Sequence, residues 1–163
     1  MNQPEHTDLA AAAGHGEATD HATLAGHATS AGHAGPWTIL FVDDDPDFLA
    51  AQEAYFGSRG HTVHTVESTG EALDLLETLT PDIIFLDLMM ERYDSGFRLA
   101  YELRKRDHLA TVPLVMLSGV ARETGERFDQ EGKGLLNWSK LDRFVDKPAT
   151  GKQLLGVAEE LLS

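Results

Sequence analysis

The stretch DIIFLDLMM, residues 82–90, decides how this chain folds. Within its first part, DIIFL, the four residues after Asp82 are an unbroken apolar run of strand-forming residues. Unbroken apolarity is the mark of a strand buried on both faces, as in the centre of a parallel sheet. An aspartate, Asp87, stands where that strand leaves the core.

Working outward, strands alternate with helices. Before the stretch, Ser68 and Glu71 have the spacing of a capping box, and Ala72, Leu75, Leu76 and Leu79 form one helical stripe closed by Pro81. HTVHTV (61–66) reads as a second strand, and WTILFV (37–42) as the first. Between them Pro46 suits the first turn of a helix that runs to about Arg59 and stops at Gly60. After the stretch, a helix is predicted over Gly96 to His108, with Phe97, Ala100, Tyr101 and Arg104 spaced along it. PLVML (113–117) is a fourth strand and RFV (143–145) a short fifth. The polar region 121–142 reads as one helix and an extended loop. Thr150 and Gln153 repeat the capping-box spacing, and Leu154, Leu155, Ala158 and Leu161 give the last helix an apolar face. The sum is (βα)₅, an α/β doubly wound parallel sheet with helices on both faces.

Composition narrows the function. The chain has 163 residues, net charge -14 and no cysteine. Nucleic acid is a poor partner for so acidic a chain, whereas a metal cation or a basic protein surface suits it. Disulfides, thiolate catalysis and thiolate-bound zinc are excluded. No apolar run approaches a membrane span and no signal peptide is visible, so the expected compartment is the cytoplasm. Residues 1–36 lack Lys, Arg, Phe, Tyr, Trp, Ile and Val. They cannot bury enough apolar surface to fold, and are expected to form a disordered extension ahead of a domain at 37–163. His15, His21, His27 and His33 recur every six residues there, which is not a helical period. The two readings are a weak nickel, copper or zinc-binding tail and a flexible low-complexity extension; composition favours the second.

Ligands of doubly wound sheets bind beyond the carboxyl ends of the strands. Those ends carry Asp43, Asp44 and Asp45 after the first strand and Asp87 after the third. Ser118 and Gly119 follow the fourth, and Lys147 with Pro148 follows the fifth. Clustered carboxylates suit a hard cation such as Mg²⁺. An aspartate can attack phosphorus to give an acyl phosphate, and a cation and a lysine can balance the charge of the transferring group.

Together these residues resemble a response regulator receiver domain of two-component signalling. The resemblance covers about Trp37 to Ser163 and rests on FVDDD, IIFLDLMM, VMLSG and FVDKP. It implies a flavodoxin-like sheet in the order 2-1-3-4-5 and a phosphoryl group received on Asp87 from a sensor histidine kinase or phosphotransfer protein. Asp43 and Asp44 would form the acidic pocket, with Asp44 the more direct Mg²⁺ ligand beside Asp87 and the Met89 backbone carbonyl. Ser118 would follow the phosphoryl group, and Lys147 would pair with the phosphorylated Asp87 ahead of a cis bond to Pro148. Phe144, at the switch aromatic position, lacks a hydroxyl, so reorientation there would be read through packing. Gly119 would leave space beside the site. With the chain ending one helix after Lys147, the expectation is a stand-alone receiver that signals to a protein partner or relays its phosphoryl group.

Two stretches depart from the receiver pattern. MMERYDSG (89–96) is one residue longer than usual, and the span from Ser118 to Lys147 is longer by several, with EGKGLLNWSKLD (131–142) the expected insertion. Trp138 within it reads either as a partner contact or as cover for a local apolar patch. Other readings of the acidic run fare worse. Asp43, Asp45 and Asp47 open like an EF-hand loop, but Phe48 and Ala54 stand where Gly and Glu are required. Asp43 and Asp45 also match the D-x-D of haloacid-dehalogenase-type phosphatases, yet Pro46 and Asp47 replace the Gly-Thr that follows there. That enzyme reading predicts phosphomonoester turnover dependent on Asp43. A third possibility is a degenerate receiver acting only as a binding module.

Overall fold

The computed structural model describes residues 35–119 and 140–163. The elements are β1 (Thr38–Val42), α1 (Pro46–Gly57), β2 (Thr62–Val66), α2 (Thr69–Leu75) and β3 (Ile83–Asp87). Then come α3 (Ser95–Arg104), a 3₁₀ turn (Asp107–Leu109), β4 (Leu114–Ser118), β5 (Arg143–Asp146) and α4 (Gly151–Leu162). The five strands are parallel in the order β2-β1-β3-β4-β5, the doubly wound arrangement expected. The region 121–139, with its expected helix, Trp138 and most of the insertion, lies outside the described residues, as does the His-bearing tail.

Side-chain alternation along the strands builds two cores. Leu40, Val42, Ile84, Leu86, Leu114 and Met116 face α2 and α3. Ile39, Phe41, Ile83, Phe85, Val115 and Leu117 face α1 and α4. Phe41 and Phe85 stack across β1 and β3 with ring centroids 4.8 Å apart. Every residue of β3 and β4 is buried, which is why both read as continuous apolar runs.

The helix starts follow local chemistry. Asp45 caps α1, its carboxylate accepting from the amides of Asp47 and Phe48, and Pro46 takes the first helical position. Gly60 closes the following turn with φ +88°, a conformation that favours glycine. Thr150 and Gln153 complete a capping box at α4. At α2 the box is only half closed: Ser68 accepts from the Glu71 amide, but the Glu71 carboxylate reaches the amide of Glu67 rather than that of Ser68.

Two helices differ from the sequence expectation. α2 stops at Leu75 and continues as a turn, with Ala72 and Leu76 buried and Leu75 and Leu79 partly so. In α3 the buried residues are Ser95, Gly96, Leu99, Ala100 and Leu103, while Tyr101 is exposed and Phe97 half-buried. The buried face is thus the predicted spacing shifted by one residue. Gly96 is the reason: with no side chain it adds nothing to an apolar pattern, yet a Cβ there would lie 2.5 Å from the Asp87 carbonyl oxygen.

Candidate functional site

At the carboxyl edge of the sheet the ends of β1, β3, β4 and β5 meet. Asp43 follows β1 directly and is fully buried. Its amide donates to the Val66 carbonyl at the end of β2 (3.1 Å). One carboxylate oxygen accepts from the Asp45 amide (3.0 Å) and the other from the Lys147 ammonium (2.5 Å). Asp44, the next residue, is exposed. Asp87 closes β3 and is 6% exposed. Its Oδ2 lies 3.4 Å from the Lys147 ammonium, and its Oδ1 accepts from the Met89 amide (3.4 Å). Carboxylate oxygens of Asp43, Asp44 and Asp87 all lie within 4.8 Å of one another.

The remaining members sit around this cluster. Ser118 ends β4 and is buried, and its carbonyl accepts from the Lys147 amide (2.7 Å), tying β5 to the site. The Lys147–Pro148 bond is cis. The Lys147 ammonium also lies 4.9 Å from the centre of the Phe48 ring on α1. Phe144 on β5 is half-buried and meets Phe97 of α3 edge to face, with centroids 6.1 Å apart. Among the described residues, no atom lies within 4 Å of a Cβ added to Gly119.

Burial dominates the electrostatics. It pushes the Asp87 carboxyl up to about 6, with the neighbouring Asp43 charge adding to the rise and Lys147 opposing it. Burial raises Asp43 as well, against the Lys147 hydrogen bond. At Lys147 burial works downward, but the Asp43 hydrogen bond and the charges of Asp43 and Asp87 outweigh it, so its pKa is raised. The ammonium therefore stays charged between two carboxylates.

Several contacts were not foreseen in the sequence. A Cβ on Gly96 would lie 2.5 Å from the Asp87 carbonyl oxygen and 2.8 Å from the Met116 sulfur, so α3 touches the backbone that carries Asp87. Phe48 under Lys147 carried no sequence signal beyond its apolarity. Glu91, in the long loop after β3, accepts from the amide and hydroxyl of Thr69 at the start of α2 (2.9 and 3.3 Å). Partial burial pushes the Glu91 carboxyl up, but the Thr69 and Glu91 amides and the Ser95 and Thr69 hydroxyls hold it below its usual value.

The response regulator receiver domain family matches residues 39–158. The chain belongs to this family. Among its relatives, the transcriptional regulatory protein AfsQ1 of Streptomyces coelicolor is 31% identical over 117 residues, 72% of this chain and 47% of that protein. An uncharacterised 14.6 kDa protein of Leptolyngbya boryana is 35% identical over 122 residues, 75% of this chain and 87% of that one. The chemotaxis response regulator CheY4 of Vibrio cholerae has the same fold, with a TM-score of 0.68 at 21% identity, over 78% of this receiver and 100% of that chain. The chain spans less than half the length of the first curated relatives it matches. Receivers are signalling domains and generally bind Mg²⁺ through acidic residues; the three-aspartate cluster of this receiver is a donor set of that chemistry. Among the described residues no helix is long and apolar enough to cross a membrane.

Proposed function

We propose that this receiver accepts a phosphoryl group on Asp87 from the phosphohistidine of a sensor kinase or phosphotransfer protein, in a reaction that requires Mg²⁺. The observation that carries the reading is the convergence of Asp43, Asp44 and Asp87 within 4.8 Å, beside a lysine shared by two of them. Three carboxylates against one ammonium leave a double negative excess, which a hard divalent cation matches. Asp44, Asp87 and the Met89 carbonyl would hold the ion, with Asp43 behind them. When bound, Mg²⁺ supplies charge that lets an anionic phosphoryl group approach anionic carboxylates.

An Asp87 oxygen attacks phosphorus in line. The new P–O bond forms as the P–N bond to the donor imidazole breaks, and the imidazole leaves with that electron pair. Lys147 then pairs with a phosphoryl oxygen, and the Ser118 hydroxyl donates to another. Drawing Ser118 inward moves the backbone after β4, and Phe144 follows by repacking against Phe97. The result is a shift between two states with different affinity for a protein partner. Relatives in which the receiver fills most of the chain, such as the 87% of the Leptolyngbya protein, support a receiver acting on a separate protein or in a relay. The same reading has a receiver domain at 37–163 acting in the cytoplasm.

The test is incubation with acetyl phosphate and Mg²⁺, followed by mass spectrometric location of the label. A single label on Asp87, lost with EDTA and in Asp87→Asn, is the expected result. A label on another residue would overturn the reading, and no label at all would return the receiver to a pure binding module.

A further inference from the structure

We propose that Glu91 is a positioning residue for the divalent cation, acting through the loop that follows Asp87; the inference rests on the Mg²⁺ reading above. The two halves of the acidic cluster ride on different supports. Asp43 and Asp44 are tied through the Asp43 amide to Val66, where β2 turns toward α2. Asp87 begins the loop that contains Met89 and runs to α3. That loop is anchored at its ends: the Leu88 amide donates to the Leu117 carbonyl (2.8 Å), and the Gly96 amide to the Leu88 carbonyl (2.9 Å). Inside it, the Met89 amide turns back to Asp87, and the Arg92 amide donates to the Ser95 hydroxyl (2.8 Å). These bonds close the loop on itself.

Glu91 is the exception. Among the described residues, its carboxylate supplies the hydrogen bonds that join the middle of this loop to another element, and they go to Thr69, three residues beyond Val66. Glu91 thus bridges the segment behind Asp43 to the segment behind Asp87. Charge-assisted bonds to an amide and a hydroxyl are among the stronger polar contacts of a surface loop. Seven residues, 88–94, separate β3 from α3, and a strut in their middle limits the conformations such a closed loop can adopt. Mg²⁺ demands near-ideal ligand geometry, so a carbonyl and a carboxylate held loosely bind it less well than the same groups held in place.

Calorimetric titration of the full chain with MgCl₂ tests this, using wild type, Glu91→Ala and Glu91→Gln, with amide hydrogen exchange of residues 88–94 in EDTA as a second measurement. Gln keeps an acceptor oxygen for Thr69 and removes the charge; Ala removes both. Glu91→Ala is expected to bind Mg²⁺ about tenfold more weakly, the low end for residues that hold ligands in place. Glu91→Gln should retain most of the affinity, and loop exchange should quicken in Ala but not in Gln. Equal affinity of wild type and Glu91→Ala overturns the positioning role and leaves the Mg²⁺ reading intact. Equal weakening in Gln and Ala overturns it too, since the charge would then act at a distance rather than through the Thr69 bonds. Absence of Mg²⁺ binding in wild type overturns both.

Discussion

Asp87 is a carboxylate held under strain of a chemical kind. Its burial and the Asp43 charge lift its pKa from 3.8 to about 6. A raised acid pKa means the folded chain prefers the protonated form, so its contribution to stability is fully present below pH 3.8 and lost as pH rises through about 6. The rise corresponds to about 3 kcal/mol at ~1.36 kcal/mol per unit, as an order of magnitude. Asp87→Asn should therefore stabilise the metal-free protein by about 1–3 kcal/mol at pH 7.5 and by much less at pH 4, measured by urea unfolding in EDTA. No difference between the two pH values would contradict the raised pKa. Asp87 was legible in the sequence because a lone acid ends an apolar strand. Its pKa was not, because that depends on Asp43 and Lys147, which reach it only through the sheet.

Among the elements, α2 is held at both ends by the flanks of α3. Glu91 takes its first amide, while Arg106 donates to the Leu73 carbonyl and the His108 ring lies 2.9 Å from the Leu76 carbonyl. A helix of seven residues is too short to persist alone, so these contacts and its buried Ala72 account for it. Arg104, at the end of α3, does a similar task on the other side. Its guanidinium donates to the carbonyls of Leu109, Ala110, Val112 and Lys140 and pairs with Asp142 at 2.9 Å. Asp142 in turn accepts from the Leu114 amide, so the starts of β4 and β5 are fastened together. Arg104→Met should lower stability by about 3 kcal/mol, because part-buried carbonyls and Asp142 lose their donors. A fall in urea midpoint with an unchanged slope would show it. The sequence placed Arg104 on the helix but offered no sign of this role, since its partners lie up to thirty-eight residues away.

For the whole molecule, the proposed Mg²⁺ binding would couple the site to stability. The proposed ion would bind the folded chain alone, so a hundredfold excess of Mg²⁺ over Kd should add about 2.7 kcal/mol. A rise in melting temperature with MgCl₂, absent in Asp44→Asn, is the expected calorimetric result. Removing residues 1–34 should leave both the melting temperature and this Mg²⁺ shift unchanged, because that segment lacks aromatic and β-branched apolar residues that could join either core. A loss of several degrees on truncation would show that the extension packs on the receiver.

Local pattern was enough for much of this. Five short strand-like stretches, most followed by turn or capping residues, point to a parallel sheet with helices between its strands, because strand periodicity and helix caps act within a few residues. Asp43, Asp44, Asp87, Ser118 and Lys147 were visible for the same reason, each standing at or just after the end of a strand, whereas Met89 and Phe144 came from the family resemblance alone. Only the tertiary structure decided what meets what. It set Lys147 between Asp43 and Asp87, across 104 residues of chain. It turned α3 onto Gly96 because its backbone must approach the Asp87 carbonyl. It joined Glu91 to Thr69, and so the two sides of the acidic cluster. Such contacts are set by packing between distant segments, for which a linear pattern holds no distance.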